Sequence, residues 1–235
     1  MALGNKTLND LLDPISKQLE HDGVAESVAM PTWEFKAQRL TDGLSHDQLV
    51  DMFVDEAAKI RVIAHRCKQD DLVKCIGDIV AAGTPDGGEE CSVVCADDER
   101  FASAGLAAAL KRRKRVTGVH VWDEALGQAN VDAAFTATYG ITYASAGIAE
   151  SATVVQPTNP KCGRAISLLP LVHIAVVDAS TIQPTMLEVM QGLEKEEKLP
   201  SQVCFISGPS ATADIELVRV EGVHGPMYVH YVIVE

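Results

Sequence analysis

From about residue 91 the chain repeats one pattern: a short run rich in β-branched residues, then a longer segment with apolar residues at helical spacing. "CSVVCA" precedes "ERFASAGLAAALKRRK", and "VTGVHVW" precedes "QANVDAAFTAT". "LVHIAVVD" precedes "TMLEVMQGLEKEEK", and "QVCFIS" and "MYVHYVIVE" add two further strand-like runs. Strands interleaved with helices can bury both faces only as a largely parallel sheet with helices on each side. The fold class read from this is α/β, a Rossmann-like, mixed but largely parallel sheet. "GITYASAGIAESATVVQ" reads as two short strands around a bend, which is the source of the mixed character.

Upstream, Ser45 and Gln48 fit a capping box, and Leu49, Met52, Phe53, Ile60, Ile63 and Ala64 recur near helical spacing. This predicts a helix through about Cys67. A second helix is predicted from about Asp70 to Ala82, stopping at Gly83. Residues 1–42 read as an N-terminal helical arm, interrupted by Pro14 and broken at Met30-Pro31 and Asp42-Gly43. Residues 43–235 form the main domain. The arm carries Leu8, Leu11, Leu12, Ile15 and Leu19, a larger apolar set than a free tail should show, so it is expected to pack on a second subunit or a partner.

The chain has 235 residues, 47% of them hydrophobic, with a net charge of −13. That balance argues against nucleic acid and anionic membrane as partners, because both select clustered cations. The single basic run, Lys111 to Arg115, fits a solvated helix end. No apolar run reaches the ~20 residues of a membrane span, and the first residues lack a signal-peptide core, so a soluble cytoplasmic protein is expected. The six cysteines are scattered. Cys91 and Cys95 sit on one strand face about 13 Å apart, too far to bridge. No spacing fits a zinc site or an iron–sulfur run, so buried structural thiols and no bound metal or cofactor are expected.

Three polar stretches interrupt the apolar pattern. In "AGIAESATVV", Glu150, Ser151 and Thr153 stand among small residues, as a buried anchor or as site groups. Arg164 follows Gly163, and its five-donor fork suits a carboxylate on a ligand or on the protein itself. His173 lies inside "LVHIAVV", as a core histidine or a site group. In "SGPSATAD", Ser207, Gly208, Ser210 and Thr212 could cradle an anion at a helix start, or could simply cap a tight turn. Asp214 and His224 follow and could serve acid–base roles. There is no Walker loop, Gly-x-Gly-x-x-Gly, His-Glu-x-x-His or Gly-x-Ser-x-Gly motif.

Taken together, "GIAESATVV", "GRAISLLPLVHIAVV" with the following "STI", and "FISGPSATADIE" with "GVHGP" resemble the lactate-utilisation (LUD) domain, most closely its protein C branch. The resemblance covers roughly residue 75 to the end, and residues 1–42 show no comparable match. One departure is Ala152, where the family typically has Gly after Glu-Ser; a backbone needing positive φ there would be mildly strained. The resemblance implies a fold similar to the sugar-isomerase and coenzyme A transferase group. It implies a part in oxidising L-lactate to pyruvate as the cluster-free component beside iron–sulfur partner proteins, which would carry the clusters. It also implies a small carboxylate or other anionic metabolite held by Arg164, Ser207, Gly208, Ser210, Thr212 and His173 at the strand carboxyl ends. Glu150, Asp214 and His224 are the catalytic candidates, and self-association of the chain is compatible with this reading. The alternative is a stand-alone transferase or ligase acting on an acyl or nucleotide substrate.

Overall fold

A computed structural model describes residues 5–20, 38–84, 88–212 and 220–235. The chain divides into two units, Met1–Arg39 and Leu40–Glu235. In the first, helix α1 (Asn5–Gln18) continues through Pro14, where the sequence suggested an interruption, and leaves Ile15 and Leu19 exposed.

The second unit opens with α2 (His46–Lys59), whose Ser45–Gln48 capping box is formed in both directions. This helix does not run to Cys67. Arg61 adopts a left-handed φ of 63°, which ends it, and Val62–Cys67 becomes strand β1. The β-branched Val62 and Ile63 favour the extended backbone, while Ile63 and Ala64 had mimicked helical spacing. A short turn at Gln69–Asp71 leads into α3 (Leu72–Ala82). Next come β2 (Cys91–Cys95), α4 (Glu99–Ser103), α5 (Leu106–Lys111), β3 (Val116–Val121) and α6 (Gln128–Thr136). The single helix expected at 99–114 is two, because Gly105 takes φ 68° between them.

The stretch expected to hold two strands holds three: β4 (Tyr139–Tyr143), β5 (Ala146–Ile148) and β6 (Thr153–Pro157). Then follow α7 (Ala165–Leu168), β7 (Val172–Asp178), β8 (Ile182–Gln183), α8 (Met186–Leu193) and β9 (Val203–Ile206). The chain closes with the ribbon β10 (Ala211–Thr212) and β11 (Val220–Glu221), then β12 (Tyr228–Val234).

Antiparallel pairing is confined to a four-stranded sheet and the β10–β11 ribbon, apart from the large sheet. The larger has six strands in the order β1-β12-β7-β4-β2-β3, all parallel. The smaller has the order β8-β5-β6-β9 and contains the antiparallel pairs. Alternation along each strand assigns the two faces of the large sheet. Tyr139, Ile141, Ile174, Val176 and Val232 pack against Leu72, Ile76, Leu106 and Leu110 of α3 and α5. On the other face Ala175, Val177, Tyr231 and Ile233 pack against Phe53 and Ala57 of α2 and against Ala149, Ala152 and Val154 of the small sheet. Gly140 shares this second face, and α7 sits over it so closely that the Ile166 carbonyl occupies the space a side chain would need.

Ala152, the departure noted in the sequence, adopts φ 45° and ψ 45° and is fully buried. The left-handed backbone costs an L-residue roughly 1–2 kcal/mol. Its buried methyl returns about 0.8 kcal/mol, and a glycine there would also lose more entropy on folding. These terms nearly cancel. Ala152→Gly is therefore expected to leave urea stability within about 1 kcal/mol of the parent, whereas Ala152→Val, β-branched in the left-handed region, should lose more than ~2 kcal/mol. A strongly stabilised Gly variant would show that the backbone strain dominates.

Candidate functional site

Strand order locates the first candidate region. The chain passes from β2 outward to β3, then crosses back over β2 to β4, so the sheet reverses direction of growth between β2 and β4. In open parallel sheets, ligands bind beyond the carboxyl ends of strands at such a reversal. The residues there are those directly following β2, "ADDER", and the ends of β4 and β7.

Asp98 caps α4 by accepting the Arg100 backbone N–H at 2.9 Å. The Arg100 guanidinium grips the Asp98 carboxylate with two donors, Nε and Nη2, each at 2.8 Å. Its third nitrogen donates to Asp178 at the end of β7, 3.2 Å away, and its carbon lies 3.3 Å from the ring centre of Tyr143 at the end of β4. Tyr143 in turn donates its hydroxyl to Asp178 at 2.5 Å. One cation thus ties together the ends of three parallel strands. The hydrogen bonds from Arg100 hold the Asp98 carboxyl below its ordinary range. Burial, then the bond to Asp178, pushes the Tyr143 phenol up, so it remains a proton donor at neutral pH. With two carboxylates on it, Arg100 braces the site and has little capacity left for a third anion.

Beside this brace lies a cleft of about 340 Å³ lined by Asp97, Asp98, Glu99, Asn159 and Lys161. The Asp97 N–H donates to the Lys161 carbonyl at 2.9 Å, and the Lys161 ammonium stands 3.8 Å from both Asp97 and Glu99. Asn159 also lines a second, larger cleft of about 1100 Å³, between α8, the outer face of β5 and β6, and residues 194–201. Arg164 lines neither cleft, but it follows Cys162 of the smaller one by two residues and is bonded to Gln202, which follows Ser201 of the larger one. It is exposed, it donates one bond to the amide oxygen of Gln202 at 3.1 Å, and it forms no ion pair among the described residues. The Gln202 carbonyl accepts the N–H of Thr158, which lines the larger cleft.

The other motif residues gather elsewhere. Thr153 is buried between two exposed serines: its hydroxyl lies 2.7 Å from that of Ser151 and 2.6 Å from that of Ser207. Glu150 shares the turn with Ser151, is half-buried, and donates its backbone N–H to Pro184. The Gly208 N–H is accepted by the Tyr231 hydroxyl at 3.3 Å, and Gly208 lies against the Ile60 carbonyl, just before β1 begins. Ser210 is tied by backbone bonds to Pro226 and Gly222, which brings the exposed His224 alongside. After Ser210 the chain enters β10, where Thr212 pairs with Val220, so no helix start presents amides at this turn. Asp214 lies outside the described residues.

This second group sits at the amino ends of the parallel strands, because β9 belongs to the small sheet and runs toward that edge. Arg164, bonded at Gln202, is separated from Ser207 by the whole of β9, roughly 16 Å of strand. The structure therefore brings Ser207, Gly208, Ser210 and His224 near Glu150, Ser151 and Thr153, but does not bring Arg164 to them. His173 is fully buried within β7; its Nε2 lies 2.9 Å from the Thr142 hydroxyl, and its Nδ1 has no partner. Asp98, Arg100, Lys161, Tyr143 and Asp178 were not singled out from the sequence. The usable signal was two acids and an arginine directly after an apolar strand, "CSVVCADDER".

The family model described as "LUD domain" matches residues 50–234. A protein from Anoxybacillus flavithermus called "Lactate utilization protein C" is 35% identical over 226 residues, spanning 95% of this chain and 97% of its own. Relatives of the same name from Geobacillus thermodenitrificans and Oceanobacillus iheyensis are 36% and 30% identical, spanning 95% and 100% of this chain and 94% and 100% of their own. The likeness thus reaches well upstream of the motifs at residue 75 and, in the Oceanobacillus protein, covers the N-terminal arm. A crystal structure of a DUF162 family protein from Deinococcus radiodurans has the same fold, with a TM-score of 0.54 at 20% identity over 82% of this chain and 99% of that one.

Proposed function

Because the chain belongs to the LUD domain family, we propose that it serves lactate utilisation as the cluster-free component of an L-lactate-oxidising assembly, holding a small carboxylate or other anionic metabolite beyond the strand carboxyl ends. The observation that carries the binding role is Arg164. It is an exposed guanidinium with a neutral amide as its described partner, in a chain of net charge −13. Such a fork is free to take a carboxylate by two parallel bonds. Asp98, Arg100, Tyr143 and Asp178 hold the surrounding strand ends rigid and supply a phenol that stays protonated.

Iron–sulfur partner proteins would carry the electron-transfer groups. Burial pushes the thiols of Cys95 and Cys162 up to about 12, which disfavours the thiolate form that cluster ligation needs. The exposed Ile15 of α1 and Leu19 just after it offer an apolar contact for such a partner or for a second copy. The Ser151–Thr153–Ser207 relay and the His224 loop form a separate polar surface at the opposite end of the large sheet.

Calorimetric titration with L-lactate and pyruvate tests the binding role. Arg164→Lys keeps the charge and loses the fork, so affinity should fall by roughly 1–3 kcal/mol with the melting temperature unchanged. Ser210→Ala should leave affinity as it is, because Ser210 lies at the other end of the sheet. The proposal fails if the parent gives no binding heat with either ligand and adding it to the iron–sulfur partner proteins leaves the rate of lactate oxidation unchanged.

A further inference from the structure

The large sheet has two edges, β1 and β3. They are defended differently. On β1, Arg66 carries a charge on the strand itself and reaches Asp51 and Glu235, and charged edge strands resist the addition of a further strand. The six residues of β3 include no charged side chain and no proline. Thr117, Gly118 and Val121 are exposed, and among the described residues β3 pairs with β2 alone. Val121 faces Cys95 in that ladder, and the Trp122 N–H donates to the Cys95 carbonyl at 2.9 Å. In a parallel ladder His120 and Trp122 therefore bond β2, while Val119 and Val121 turn their own N–H and C=O groups to the open side. Such an edge is a template for another strand.

The charges at its two ends select the partner. Lys111, Arg112 and Lys114 lie just before β3, exposed and without an ion pair among the described residues. The other two cations of the run are occupied, Arg113 by Asp78 and Arg115 by the carbonyls of Ala81 and Gly88. Asp123 and Glu124 follow the strand, also exposed and without an ion pair among the described residues. The whole of β3 separates the two groups, roughly 20 Å of strand, so they do not meet within one copy. We infer that two copies of this chain join through β3, antiparallel about a two-fold axis, so that the basic end of each strand lies beside the acidic end of the other and one sheet runs through both. Parallel addition would set cations against cations. An antiparallel pair of identical strands is self-complementary, as a closed dimer requires. Val121 and Leu126, exposed at the acidic end, add apolar contact.

Sedimentation velocity over a concentration series tests this. The parent should be a dimer at micromolar concentration. Val121→Pro removes an N–H that β2 does not use, at an edge position that tolerates proline, so it should raise the dissociation constant at least about tenfold with circular dichroism and melting as in the parent. Glu124→Lys and Lys114→Glu should each weaken self-association roughly tenfold, since either change acts at both ends of the two-fold pair. Mixed together, these two variants should associate with each other as tightly as the parent does with itself, because the mixed pair has opposite charges at both ends. Both positions are exposed, so the charge variants decide the matter even where Val121→Pro fails to fold. A parent that stays monomeric throughout the series overturns the inference. So does a dimer that Glu124→Lys and Lys114→Glu leave intact, because its contact then lies elsewhere. A mixture that associates no better than its components overturns the antiparallel arrangement.

Discussion

Gly140→Ala is expected to abolish folding. A Cβ at this position would lie 1.9 Å from the Ile166 carbonyl oxygen and 2.9 Å from Pro170. The first obstacle is backbone, so no rotamer change relieves it. Either α7 must lift off β4 or the strand must leave the sheet, and β4 is central, paired with both β2 and β7. The cost should exceed about 4 kcal/mol, a large share of the 5–15 kcal/mol that stabilises a typical domain. Soluble yield, far-ultraviolet circular dichroism and urea unfolding would show it. Gly118→Ala on edge strand β3 is the control: nothing lies within 4 Å of its added Cβ, so it should be neutral or stabilise by roughly 0.5 kcal/mol. A folded Gly140→Ala protein with parental stability would mean that α7 is not seated on β4 as described.

The second large effect is acid destabilisation from the buried histidines. Burial pushes His173 down from the ordinary 6.5 to about 4, and His230 likewise falls to about 4 through burial and its neighbour His65. For a histidine with a depressed folded value, the unfolded chain binds the proton first as pH falls. Stability is then full above pH 6.5 and is lost as pH drops from 6.5 toward 4. For His173 alone the loss amounts to on the order of 3 kcal/mol. Urea unfolding at pH 7.5 and pH 4.5 should differ by about that amount more in the parent than in His173→Gln, which can still bond Thr142 and does not titrate. His230 keeps part of the slope in the variant. Identical pH slopes in the two proteins would show that His173 is protonated, or accessible to water, in the folded state.

β2, β4 and β7 were legible because each is buried along nearly its whole length, while the less covered β3 and β9 were marked by their β-branched and aromatic residues alone. β1 was not, because it is an edge strand whose Ala64 and His65 are half-covered and whose Ile63 and Arg66 are exposed, and its apolar residues happened to continue the spacing of α2. The short β5, three residues long, carried too little pattern to stand apart from β6. Division into two sheets left no local trace, since it depends on which distant strand each run pairs with. That same non-local fact placed the Ser207 turn at the opposite end of the molecule from Arg164: the turn does follow a strand, but a strand of the small sheet. Ala152 was anticipated as a strained backbone position only through the family resemblance, which puts Gly there; an alanine by itself carries no signal of left-handed geometry.

The position of β12 bears on how the protein is made. The last strand of the large sheet in chain order lies between the first, β1, and β7, and pairs with both along its length. During synthesis β1 emerges some 160 residues before that partner, and one edge of β7 stays open meanwhile. The nascent chain therefore carries an unfilled slot in its sheet until β12 emerges, and closure requires a strand to insert rather than add at an edge. Long-range pairing of this kind slows folding and prolongs the exposure of unpaired edges. Loss of even a few residues from β12 would leave β1 without the one strand it pairs with among the described residues, so truncation there should be felt across the whole second unit.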